Sequence, residues 1–139
     1  MRFVILFFSL TLCLSAELNA QTDYEQVVAT LENYMIGGTE NDAERVVSAF
    51  HPQAMMKFIR DGKYVETNAA EFFGSRIKPG PKSDRITEIA SIDITGHAAV
   101  AKLLLKYTDR TFIDYMTLMK IDGQWKIINK SFFVESTSS

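Results

Sequence analysis

The sequence predicts an α+β domain: three N-terminal helices packed on a mainly antiparallel sheet. Three observations predict it. Between residues 22 and 77, apolar side chains recur at three- and four-residue spacing behind residues suited to cap helices. After Arg85 the chain turns to β-branched and aromatic runs separated by short turns. The length of 139 residues, 47% hydrophobic and 23% charged, is that of one ordinary globular domain.

Residues 1–20 are expected to leave before folding. Arg2 supplies a positive start, and Phe3 to Leu14 form an apolar run shorter than the ~20 residues a membrane span needs. Leu18-Asn19-Ala20 offers a cleavage point before Gln21. A lipoprotein would need a small residue before Cys13, where Leu12 stands. An uncleaved anchor is the alternative. The expected mature chain is exported, periplasmic or secreted, with one domain over 21–135 and a short polar tail over 136–139.

The first helix is expected to start at Thr22, with Glu25 closing a capping box. Tyr24, Val27, Val28, Leu31, Tyr34 and Met35 line one face of it, and Gly37-Gly38 should stop it. The same device at Asn41 to Glu44 opens a second helix carrying Val46, Val47 and Phe50, ended by His51-Pro52. Asp61-Gly62 predicts a hairpin joining Ala54–Ile59 to Lys63–Val65. A third helix starts at Asn68, and Lys78 to Lys82 break it.

Four strands follow: Arg85–Ile94, Ala98–Tyr107, Phe112–Ile121 and Gln124–Val134. A two-residue turn at Asp122-Gly123 sets Lys120 opposite Trp125, Leu118 opposite Ile127, Met116 opposite Asn129 and Asp114 opposite Ser131. Opposed residues share a face. This parity turns Asp114, Met116, Trp125, Asn129 and Ser131 toward the helices. Lys126, Lys130 and Phe132 then face out with Tyr115 and Ile128. That outer apolar strip is a candidate homodimer surface.

Composition narrows the chemistry. Fifteen Lys+Arg against seventeen Asp+Glu give a net charge of −2, which argues against nucleic acid. The only cysteine lies in the leader, so the mature chain has no thiol nucleophile, disulfide or thiolate metal ligand. His51 and His97 stand apart without patterned carboxylates, so no metal or other cofactor is expected. Ser-His-Asp and phosphate-loop patterns are absent.

Val46 to Pro52 and the ending Asp114 to Lys130 resemble the nuclear-transport-factor-2-like superfamily, specifically its lumazine-binding branch, a neighbour of the SnoaL-like polyketide cyclases. The resemblance implies a cone with a pocket between the helices and a curved sheet, commonly paired into dimers through the outer face. Ketosteroid isomerase shares this fold, with its base on the strand after the second helix. Here Ala54 to Ile59 carry no carboxylate, which departs from that chemistry.

Asp114 is the candidate catalytic base, since burial beside Ser131 and Asn129 would raise its pKa. A carboxylate satisfied by its neighbours is the competing reading. Tyr34, Asp114, Met116, Trp125, Asn129 and Ser131 form the candidate ligand site. Tyr34 is read as a core residue with its hydroxyl at the rim. Glu88 is a further inward candidate if Ala90 pairs with Ala101, and Lys120 is expected to lie over the Trp125 ring. The preferred function is binding a small, partly apolar molecule without turnover. A proton-transfer enzyme using Asp114 and a filled, purely structural cone are the alternatives.

Overall fold

The computed structural model describes residues 5–137, with side chains from residue 22 onward. The predicted leader and its cleavage point lie outside the residues whose side chains are described. Among the described residues, no helix is long and apolar enough to cross a membrane.

Helix α1 (Ile5–Glu40) runs unbroken past Thr22 and through Gly37-Gly38, correcting both predicted ends. It stops at Asn41, which takes the left-handed conformation at φ 57°, and the Asp42 N–H closes back on the Gly37 carbonyl at 2.8 Å. That closure satisfies an otherwise orphaned carbonyl, and asparagine tolerates the left-handed backbone better than most side chains. The two glycines serve close packing instead. A Cβ on Gly37 would stand 3.0 Å from Val46 Cγ2 and 3.1 Å from the Val46 backbone nitrogen, so the glycine lets α2 (Ala43–Ala49) approach.

Asp42, one residue later than the sequence suggests, caps α2 by accepting from the Arg45 N–H at 3.0 Å. The chain then enters β1 (Phe50–Arg60) directly, so His51-Pro52 belongs to a strand. Asp61-Gly62 turns β1 into β2 (Lys63–Asn68), pairing Arg60 with Lys63. Asn68 caps α3 (Ala69–Arg76) through the Glu71 N–H, as the sequence predicts.

The meander comprises β3 (Ile86–Thr95), β4 (Ala98–Lys106), β5 (Arg110–Ile121) and β6 (Gln124–Ser136). Sheet order is β2-β1-β6-β5-β4-β3, antiparallel except where β1 runs parallel to β6. The helices cover one face, and Leu31, Val46, Leu103, Leu118 and Ile127 lie at the centre of the core.

Two bulges redirect side chains. On β6 the pairing is Leu118 with Ile127 but Thr117 with Asn129, so Ile128 is an extra residue. A one-residue slip reverses every facing beyond it. Lys130 and Phe132 therefore turn inward, paired with Met116 and Asp114, while Asn129 and Ser131 turn outward opposite Thr117 and Tyr115. A second bulge at Ala90 keeps Ile89 and Ile92 inward and puts Glu88 on the outer face, bridged to Lys106 at 2.7 Å.

Candidate functional site

Asp114 is fully buried at mid-β5, and its two oxygens are both engaged. Oδ2 accepts the Tyr34 hydroxyl at 2.7 Å. Oδ1 faces the Lys130 ammonium in a buried ion pair, with no further donor. Tyr34 reaches this point because it sits on the buried stripe of α1. Its ring is wedged edge-on against Phe50 and Phe73, each 5.7 Å away. The hydroxyl thus lies in the interior rather than at the rim.

Burial drives the electrostatics. It pushes the Tyr34 phenol well above its ordinary value, and the adjacent Asp114 charge pushes the same way. It also lowers the Lys130 ammonium, against the opposing attraction of Asp114. Tyr34 directs its proton at Asp114, so the phenol offers a neighbouring molecule an acceptor oxygen and not a donor.

A cavity of about 440 Å³ opens above this group between α1, α3 and the sheet. Tyr34, Phe72, Phe73, Tyr107, Phe112 and Phe132 give it an aromatic wall, and Lys130 and Arg85 bring charge to it. A second hollow of about 450 Å³ adjoins it and shares Tyr34, Phe72, Phe73, Arg85 and Tyr107. Arg85, just before β3, is held in place from three sides. Its Nε donates to Thr39 Oγ1 at 2.9 Å, Nη1 to the Tyr107 hydroxyl at 2.8 Å, and Nη2 to the Met35 carbonyl at 2.8 Å. A Cβ on Gly38 would come within 2.5 Å of Nη2, so this second glycine clears the space for the guanidinium.

The structure brings together only part of the predicted site. Tyr34 lines the cavity, with Asp114 behind it, where it positions Tyr34 and Lys130 without reaching the space itself. Met116 is plain core. Trp125 lies toward the earlier part of α1, where its indole N–H donates to Asp23 at 3.1 Å. Lys120 joins the same carboxylate at 2.8 Å instead of lying over the ring. Asn129 and Ser131 are on the outer face because of the Ile128 bulge. Sequence reasoning missed Lys130, Arg85 and Tyr107. Only the bulge could have revealed Lys130, and a lone arginine at a strand entrance carries no signal.

Helices folded over a curved six-stranded sheet, with an aromatic cavity between them, define a nuclear-transport-factor-2-like domain. Residues 22–133 match the family described as "Putative lumazine-binding", and the chain belongs to it. A nuclear-transport-factor-2-like protein of unknown function from Shewanella baltica OS155 is 26% identical, with a TM-score of 0.71 over 82% of this chain and 94% of that one. A similar protein from Silicibacter pomeroyi DSS-3 shares the fold at 19% identity, with a TM-score of 0.73 over 84% and 98% of the two chains. Aldolase FrzH from Cladobotryum sp. is 24% identical over 114 residues, 80% of this chain and 90% of its own.

Proposed function

We propose that the protein binds a small, largely flat molecule in the cavity between α1, α3 and the sheet. The carrying observation is the aromatic wall around a space of about 440 Å³, within the ~300–1,000 Å³ typical of ligand sites. An open cone of this size also speaks against a purely structural module. The family's description supports ligand binding in general terms. Melting the mature protein with pterins, flavins and steroids tests the reading. A ligand at a hundred times its Kd should stabilise by about 2.7 kcal/mol, raising the melting temperature. No shift with any of them, and no ligand in a co-crystal, would defeat it.

A second reading, proton transfer, is favoured by one observation: Lys130 is both buried beside Asp114 and part of the cavity wall. Asp114 is shielded, so Lys130 would touch the substrate and Asp114 would position it. The resemblance to a protein named an aldolase supports keeping this reading. If the bound molecule is recovered unchanged, binding alone stands. If it is converted, and Lys130→Met abolishes conversion while binding persists, the enzyme reading replaces it.

We also propose export, on the strength of the N-terminal apolar run, and pairing through the outer face, where Val100 and Tyr115 are half exposed. Sequencing the N-terminus of protein recovered from outside the cytoplasm should read Gln21, and sedimentation should give twice the mass of the mature chain. An intact Met1 or a monomer would refute the respective proposal.

A further inference from the structure

Charge around the two adjoining hollows is one-sided. Arg60, Arg85 and Lys130 line the first, and Arg76, Lys78 and again Arg85 line the second; neither wall contains an aspartate or glutamate. This occurs in a chain whose net charge is −2. Of these cations, Lys130 is neutralised by Asp114, Arg60 and Arg76 lie over the rings of Phe58 and Phe72 at 4.9 Å and 4.5 Å, and Lys78 is exposed.

Arg85 differs. It is partly buried, fixed by three hydrogen bonds to neutral oxygens, and among the described residues no carboxylate stands within 4.0 Å of it. A guanidinium has five N–H donors in a planar fork, so two remain available. A preorganised cation with spare donors, at the waist shared by two aromatic hollows, is suited to a planar anion, which it grips with two parallel bonds. Gly38 reinforces the point: any side chain there would displace the fork.

We infer that the ligand is an aromatic molecule bearing a carboxylate or an equally acidic enol, seated with its anionic group on Arg85 and its ring against Phe72 and Phe73. This deepens the reading of the cavity as a small-molecule site and rests on it.

The test uses matched pairs of aromatic acids and their primary amides on one-, two- and three-ring scaffolds: benzoate, 2-naphthoate and anthracene-2-carboxylate with the corresponding amides. Calorimetric titration of the mature protein at fixed ionic strength should show at least one acid binding tenfold or more tightly than its amide. Arg85→Gln should abolish that preference while leaving the amide's affinity within about threefold. Gly38→Val, which keeps the arginine but moves it, should do the same and serves if Arg85→Gln fails to fold. Equal binding of acid and amide, or an acid preference that survives both variants, overturns the anion assignment and leaves the cavity reading intact. If no acid or amide binds on any scaffold, both fall.

Discussion

Tyr34 and Asp114 stand 80 residues apart in sequence and are joined by a 2.7 Å hydrogen bond in which the phenol donates to Oδ2. The bond ties α1 to the middle of the sheet beneath the cavity. It also fixes which way the phenol presents its oxygen, so it belongs both to the core and to the site.

Tyr34→Phe should therefore cost about 1.5–3 kcal/mol at neutral pH, the range for a hydrogen bond to a charged group. Its pH dependence has a definite sign. Tyr34 is raised in the folded state, so its contribution is complete below the ordinary phenol value of 10.0. Above that pH the unfolded chain ionises first, and the contribution is lost as pH climbs toward the folded value. Urea unfolding from pH 7 to 11 should show a shallower alkaline loss in Tyr34→Phe than in the parent. Identical slopes would mean the phenol is not held as described.

The buried pair of Asp114 and Lys130 predicts strong non-additivity. Asp114→Asn and Lys130→Met each strand one member of the pair, at about 3–5 kcal/mol. The double variant removes both and should regain most of that loss. Unfolding midpoints of the four proteins measure the coupling. Simple addition of the two single losses would show that the groups do not compensate each other.

Gly37 and Gly38 make opposite predictions although they are neighbours. Alanine at Gly37 meets the Val46 side chain and backbone at 3.0 and 3.1 Å, where nothing flexible can yield. Overpacking of that kind costs about 1–3 kcal/mol, against about 1 kcal/mol gained in helix propensity. Gly37→Ala should lower the melting temperature. Alanine at Gly38 meets only the tip of Arg85, which can swing aside without moving backbone. The Nη2 hydrogen bond lost, about 1 kcal/mol, is offset by the gain in helix propensity, so Gly38→Ala should stay within about 1 kcal/mol of the parent. A larger drop at Gly38 than at Gly37 would reverse this account.

Those glycines also illustrate what was legible in the chain. Read locally, a Gly pair ends a helix; the reason it does not end α1 lies in α2 and Arg85, which meet it only in three dimensions. The cap at Asn68, the turns at Asp61-Gly62 and Asp122-Gly123, and the pairing of Lys120 with Trp125 depend on neighbours in sequence, and all are present. Parity counted from the last turn holds as far as Ile127 and fails at Ile128, because a bulge leaves no mark in composition. That single extra residue exchanged Asn129 and Ser131 for Lys130 and Phe132 in the interior. Asp114 and Tyr34 were recoverable because β5 is regular and α1 keeps its period. Arg85 was not, since its role depends on Thr39, Met35 and Tyr107, contributed by two distant segments.

At the other end of the sheet, Asp23 supplies a pH-sensitive contact with its own reporter. Its Oδ1 accepts from Lys120 Nζ at 2.8 Å and from the Trp125 indole at 3.1 Å, and these bonds hold its carboxyl below the ordinary value of 3.8. A depressed carboxylate contributes stability that is present above 3.8 and is lost as pH falls through the folded value. Asp23→Asn should therefore flatten the acid limb of the stability profile below pH 4 while leaving the alkaline limb unchanged. Trp125 is the only tryptophan in the chain, so its emission reads the contact directly. The parent should show a fluorescence step on acidification before unfolding, absent from Asp23→Asn. A step of the same size in both proteins would place the titrating group elsewhere.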